Sequence, residues 1–245
     1  MAHCKHTYRY PNAIEVEEFH TGKYGAPGQP RQKRKKATPE QIERINQYNR
    51  EKLARRKLRT HFKVNDYFVC LTYRREARPP DMKSAKEHFQ QFMRKVREAY
   101  RKQGAEVKWI RNIEVGTKNG WHIHLIINRV LDTDVILAAA WPYGQVVNKL
   151  LYEKGEFAQL AAYITKTPKT APRLKEANYS TSRNLPVPPP EKKIVHGWKL
   201  SDKIRVPKGY YLDKQSLREG VNPVTGYGYR TYTLLKLQPV RRRAG

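Results

Sequence analysis

Between Tyr67 and Lys166 the chain alternates strand-type and helix-type periodicity, and this alternation restricts the fold more than any other feature. Tyr67-Phe-Val-Cys-Leu-Thr-Tyr73 is β-branched and aromatic, as a strand should be. Asp81 then suits the cap of a long helix in which Ala85, Phe89, Phe92, Met93, Val96 and Tyr100 recur at three and four residues, and Gly104 suits its stop. Strands over 107–116 and 121–128 follow, then a short helix near 133–141, a strand over 145–152 and a helix from about Glu156 to Lys166.

The order β-α-β-β-α-β, with a helix after it, is that of the split βαβ unit. The expected fold class is therefore α+β and ferredoxin-like: an antiparallel sheet with helices on one face, the other face free for a ligand, plus N- and C-terminal extensions. Residues 1–37, rich in Gly, Pro and charge, read as a flexible basic arm. Thr38-Pro-Glu-Gln41 has the form of a capping box and opens a basic helix over 38–60, whose apolar stripe is Ile42, Ile45 and Leu53. The main domain is expected over 61–170. Pro168, Pro172, Pro186 and the run Pro188–Pro190 then mark the start of a C-terminal extension, 171–245, with one clear strand over 228–237 and an expected placement against the main domain.

Fifty Lys and Arg against 22 Asp and Glu give a formal net charge of +28, which points to a polyanion as the working partner, nucleic acid first. The basic run Lys33, Arg34, Lys35 and Lys36, the helix residues Arg55 and Arg56, and Arg183 are the candidate DNA contacts. The helix cations fit a solvated face as well as a phosphate-tracking one. No apolar run reaches the roughly 18 residues of a membrane span, and no signal-peptide pattern opens the chain, so a cytoplasmic protein with no membrane partner is expected. Cys4 and Cys70 are too few for a disulfide framework. His3, Cys4 and His6 lack a second ligand pair and read as a terminus, not a metal site.

The segment Gly116-Thr-Lys-Asn-Gly-Trp-His-Ile-His-Leu-Ile-Ile127 places two imidazoles in an apolar strand. Side chains alternate along a strand, so His122 and His124 share one face while Ile123, Leu125 and Ile127 share the other. Ile113 and Val115 must seek the same core, which puts Glu114 with the histidines. A three-residue loop Lys118-Asn-Gly120 sets Gly116 opposite His122 and Glu114 opposite His124. Two readings fit the trio: a polar sheet face, or a divalent-cation site with open positions. In the last helix, Tyr163 and Lys166 flank the apolar stripe Phe157, Leu160, Ala161 and Ile164, one turn apart. A phenol beside a cation is a usable nucleophile, although the pair is commonplace on helix flanks. Trp121 fits base stacking or core packing equally.

Taken together, a strand with His-hydrophobic-His, a later helix with Tyr-x-x-Lys, and an earlier strand of the type Phe68–Tyr73 resemble the three motifs of the HUH-superfamily rolling-circle replication initiators. The likeness is strongest to the single-tyrosine Rep proteins of bacterial plasmids, phages and integrative elements. Helix 39–58 and Tyr179–Leu185 also look similar to bacterial members. The resemblance implies a metal-assisted transesterification on single-stranded or hairpin DNA at a replication origin, in a bacterial cytoplasm. It implies Tyr163 as the nucleophile that forms a 5′-phosphotyrosyl link, Lys166 as its helper, and Glu114, His122 and His124 as ligands of Mg²⁺ or Mn²⁺. Relaxases place the tyrosine before the histidines, so the order here argues against them. The phosphate-binding motif Gly-x4-Gly-Lys-Ser/Thr does not occur in the sequence, which makes a host helicase and polymerase the expected partners and leaves room for a second protomer. An HUH transposase and a non-catalytic nucleic-acid-binding module of the same fold are the rival readings.

Overall fold

The computed structural model describes residues 2–20, 38–116, 120–151, 157–166, 179–196, 203–222 and 227–237. By contact clustering the chain divides into two compact units, Gln47–Val187 and a second one formed by Met1–Asn46 with Pro188–Gly245.

The Gln47–Val187 unit is built on the expected alternation. Strand β3 (Tyr67–Thr72) leads through a single 3-10 turn to helix α2 (Met82–Lys102). Strands β4 (Trp109–Val115) and β5 (Trp121–Ile127), helix α3 (Thr133–Ala140), strand β6 (Val146–Leu150) and helix α4 (Ala158–Thr165) follow. The strands lie in the order β6-β3-β5-β4, every neighbour antiparallel, and strand β7 (Tyr179–Thr181) is added beside β4. This is the ferredoxin-like order in an α+β architecture. Local chemistry fixes the ends of α2: the Asp81 carboxylate accepts a hydrogen bond from the Ser84 N–H at 2.7 Å, and Gly104 beyond the last turn takes φ +69°. All six apolar positions foreseen in α2 are buried, against Val69, Leu71, Trp109, Ile113, Ile123, Leu125 and Ile127 of the sheet. Trp121 belongs to the same core and does not face solvent, which decides between its two readings.

The expectation of helices on one face only is corrected. Besides α2 and α3 on the first face, helix α1 (Pro39–His61) and α4 bury Ala54, Leu58, Phe157, Ala161 and Ile164 on Ile110 and Ile126 of the opposite face. The reason is the strand pattern itself: Ile110 and Ile126 alternate away from the first core and need apolar cover of their own. The capping box at the start of α1 forms as expected, with Thr38 N–H donating to Gln41 Oε1 at 3.0 Å and Gln41 N–H to Thr38 Oγ1 at 3.3 Å. Its buried stripe, however, is Ala54 and Leu58, whereas Ile42, Ile45 and Leu53 are exposed.

The second unit replaces what the sequence suggested for both chain ends. Strands β1 (Ala2–Arg9), β2 (Ala13–Phe19), β8 (Glu191–His196), β9 (Tyr210–Val221) and β10 (Gly228–Lys236) form one antiparallel sheet in the order β8-β1-β2-β10-β9. Residues 2–19 are therefore strand and not arm, and Cys4 is buried within β1, in a strand where a terminus was expected; the rest of the expected arm, 21–37, lies outside the described residues. The C-terminal residues supply three strands of a sheet with its own core, Ile14, Val16, Tyr232 and Leu234, in place of an extension laid on the main domain. A Glu18–Arg230 pair is buried in this unit, with Arg230 Nε donating to Glu18 Oε2 at 2.8 Å.

Candidate active site

The site lies on the face of the main sheet shared with α1 and α4, beyond the apolar cover of Ile110 and Ile126. Strand pairing sets it out as two rungs. In one, Asn112 of β4, His124 of β5 and Cys70 of β3 stand side by side; in the next, Glu114, His122 and Thr72 do. Glu114 thus faces His122 and not His124, two residues from the expected register. The cause is the turn: Gly116 N–H donates to Gly120 O at 2.8 Å, so the hairpin closes between these glycines and Val115 pairs with Trp121. A shift of two preserves the face, and Glu114 still reaches His124 diagonally, Oε2 to Nε2 at 3.5 Å.

Helix α4 carries the phenol to the same nitrogen. Its buried stripe Phe157, Ala161 and Ile164 packs downward as expected, and Tyr163 emerges on the flank, 43% exposed, with its hydroxyl 3.1 Å from His124 Nε2. The first residue before the helix, Phe157, holds a left-handed φ of 46° that burial of its ring over-determines. Phe68 of β3 packs on both partners, its ring stacked on His124 at 5.7 Å and edge-on to Tyr163 at 5.9 Å. Lys166 caps α4 through its backbone, its N–H donating to Tyr163 O at 3.2 Å, and its side chain is exposed.

Asn112 joins these parts. It is fully buried, and its Nδ2 donates to Lys166 O at 3.1 Å and to Glu114 Oε1 at 3.4 Å, linking the end of α4 to the carboxylate. Neither Asn112, Cys70 nor Phe68 was anticipated. The signal that would have found them is the alternation already used for Glu114: each shares the parity of the histidine face on its own strand.

Environment separates the titrating groups. Burial, then the neighbouring His124, push the His122 imidazole below its ordinary value, so it is neutral at pH 7. Burial also pulls on His124, but its hydrogen bonds to Cys70 and Glu114 and their charge outweigh it and raise the imidazole to about 9. Burial, followed by the Glu114 and Cys70 charges, raises the Tyr163 phenol above its ordinary value, so it is protonated at rest.

The donor types suit a divalent ion: two imidazoles and a carboxylate on one sheet face, bordered by an exposed nucleophile. Their present spacing is looser. The His122 and His124 ring centroids are 6.4 Å apart, and His122 Nε2 lies over Gly120, 3.4 Å from where a Cβ there would stand. Among the described residues no three His, Cys, Asp or Glu side chains are close enough to grip a metal ion as they are. Gathering the trio takes a rotation of the half-buried His122 side chain.

Of the candidate DNA contacts, Arg183 is exposed just after β7, Arg55 is half-buried and Arg56 is buried on α1. Lys33, Arg34, Lys35 and Lys36 lie outside the described residues. None of the described helices is long and apolar enough to cross a membrane.

Comparison with known proteins bears on the same segment. Residues 66–168 match a family model of replication-associated proteins, the ORF2 type, and that span holds β3 to α4 and every residue of the trio and the phenol. No curated protein and no solved structure gives a significant match.

Proposed function

We propose that this chain initiates replication by nicking and rejoining single-stranded or hairpin DNA at an origin, with Tyr163 as the nucleophile. The similarity of residues 66–168 to replication-associated proteins supports the biological setting. The observation that carries the chemistry is the convergence of the Tyr163 hydroxyl and the Glu114 carboxylate on His124 Nε2, at 3.1 and 3.5 Å.

The Tyr163 oxygen attacks the scissile phosphorus, a phosphotyrosine ester forms with the 5′ side, and the 3′ oxygen leaves, taking up a proton to become a free primer hydroxyl. The phenol must lose its proton as it attacks, and the imidazole facing it is the nearest acceptor once His124 is neutral. Glu114, His122 and His124 would hold Mg²⁺ or Mn²⁺, which would polarise the phosphate oxygens. Asn112 orients the carboxylate and fixes the end of α4, and Phe68 limits the freedom of both rings. Lys166, next beyond the nucleophile's helix, would set positive charge against the developing phosphate charge. The phosphodiester energy is retained in the covalent link, so rejoining needs no nucleotide, and a host helicase and polymerase, or a second protomer, would complete the cycle.

Incubating the protein with Mn²⁺ and a labelled single-stranded origin hairpin should give a covalent protein–DNA adduct that Tyr163→Phe abolishes while DNA binding persists. A wild-type protein that shifts the DNA without ever becoming linked to it would leave only a nucleic-acid-binding module of this fold.

A further inference from the structure

The face of the main sheet opposite the histidines carries a second basic feature that the nicking reaction does not use. Between α2 and the β4–β7 edge runs a groove of about 890 Å³. Lys86, Gln90, Arg97 and Arg101 line its α2 wall, a spacing of four, seven and four that keeps them on one side of the helix. The row extends for roughly 22 Å at 1.5 Å per residue. Arg111 forms the floor: it is 7% exposed, on the core side of β4, with its guanidinium over the Phe89 ring at 5.1 Å. Burial pulls Arg111 down to about 10, which leaves it charged at neutral pH. The opposite wall is Ser180, Ser182 and Asn184, hydroxyl and amide groups that suit phosphate oxygens. Among the described residues the lining has one carboxylate, Glu106, which accepts from Asn184 Nδ2 at 3.2 Å and so sits at the end of the row.

We infer that this groove docks the phosphate backbone of duplex DNA, separate from the strand delivered to Tyr163. A row of cations at fixed helical spacing, over a buried arginine, matches a rigid line of phosphates. A duplex is favoured over a single strand because single-strand sites stack bases on exposed rings, and the described aromatic rings lining this groove, Phe89 and Trp109, are buried in the core. The contacts are to backbone groups only, so binding here is independent of sequence. Its role is to hold the flanking duplex while the opposite face works on the extruded strand, and it shares with the proposed nicking only the nucleic-acid partner.

The test uses the full chain, EDTA, and blunt duplexes of two unrelated sequences with no single-stranded region, followed by fluorescence anisotropy from low to moderate salt. The combined Lys86→Glu, Arg97→Glu and Arg101→Glu variant should weaken both duplexes at least about tenfold more than Lys83→Glu, Lys95→Glu and Lys102→Glu, which make the same charge change at α2 positions outside the groove. It should also flatten the log–log salt dependence by roughly 2 to 3, since each lost phosphate contact removes close to one. The glutamine triple at the three groove positions, with an unchanged melting temperature, gives the same readout if the glutamates unfold the protein. Equal loss in the groove and control triples would overturn the inference. So would a single strand that depends on the groove as strongly as the duplex, or polyglutamate that does, the last marking a protein-docking surface instead. Tyr163 adduct formation on a short single strand, measured in parallel, should survive the groove triple. Its absence from the wild type would end the nicking proposal and leave duplex docking untouched.

Discussion

At the scale of single residues, the site depends on an asparagine with no chemistry of its own. Asn112 is fully buried and spends both amide hydrogens on the site, one on Glu114 and one on the backbone carbonyl of Lys166. Removing it orphans the Lys166 carbonyl and frees the carboxylate to turn. Asn112→Ala should cost about 1 to 3 kcal/mol of stability, the range for a buried polar group losing its partner. It should also slow adduct formation by at least about tenfold, because the phenol and carboxylate lose their common brace. Thermal unfolding reads the first effect and single-turnover nicking at a temperature where the variant is fully folded reads the second. A fall in stability with nicking rates unchanged would reduce Asn112 to a packing residue. His122 and His124 were legible in the sequence because two imidazoles among Ile123, Leu125 and Ile127 break the apolar pattern, whereas Asn112 was not, since one amide beside Arg111 in a basic chain breaks nothing.

At the scale of elements, histidines set opposing demands on pH. Burial lowers His61, where the hydrogen bond to Pro186 O only partly offsets it, and also His88, whose ring stacks on Tyr143 at 4.0 Å; His122 shifts the same way. A base whose folded value is depressed contributes stability that is present above its ordinary value of 6.5 and is lost as pH falls through the folded value. His124 has the reverse sign: its folded value is raised, so its contribution is full below 6.5 and is lost as pH rises through about 9. The melting temperature should therefore decline on the acid side below about pH 6.5 and on the alkaline side near 9, with His88→Gln flattening only the acid limb. A Glu114→Gln variant should flatten the alkaline limb, since the carboxylate is one of the two groups that raise His124. Order and type of the elements from β3 to α4 were readable because each has a strong period and a cap or stop, such as Asp81 and Gly104. The hairpin register was not readable, because loops shifted by one position along Lys118, Asn119 and Gly120 preserve every face and differ only in which glycine closes the ladder. The buried side of α1 was also hidden: Ile42, Ile45 and Leu53 make a stripe on paper, yet the sheet is met by Ala54 and Leu58, where arginines on either side obscure the pattern.

At the scale of the whole molecule, the two chain ends meet in one sheet, and this was illegible because the pairing spans nearly the full sequence. No local period in 1–37 signals that Ile14 will pair with Leu234, or Cys4 with Ile194. The pairing makes a cooperative dependence that truncation exposes. β1 lies between β8 and β2, and β2 between β1 and β10, so a chain ending at residue 187 keeps the β1–β2 hairpin and loses both of its flanking strands. An isolated two-stranded hairpin is marginal in water, and with Tyr232 and Leu234 gone Ile14 and Val16 have no core to enter. The main sheet holds its own cores and has no strand from either end: its edges are β6 and β7, both before residue 188. Hydrogen exchange on the shortened chain should therefore show amides of residues 2–19 exchanging as in an unfolded peptide while those of β3, β4 and β5 keep their protection. If the amides of β5 lost protection in step with those of β1, the histidine-bearing sheet would be shown to depend on the terminal sheet, and the division into two separately stable units would be wrong.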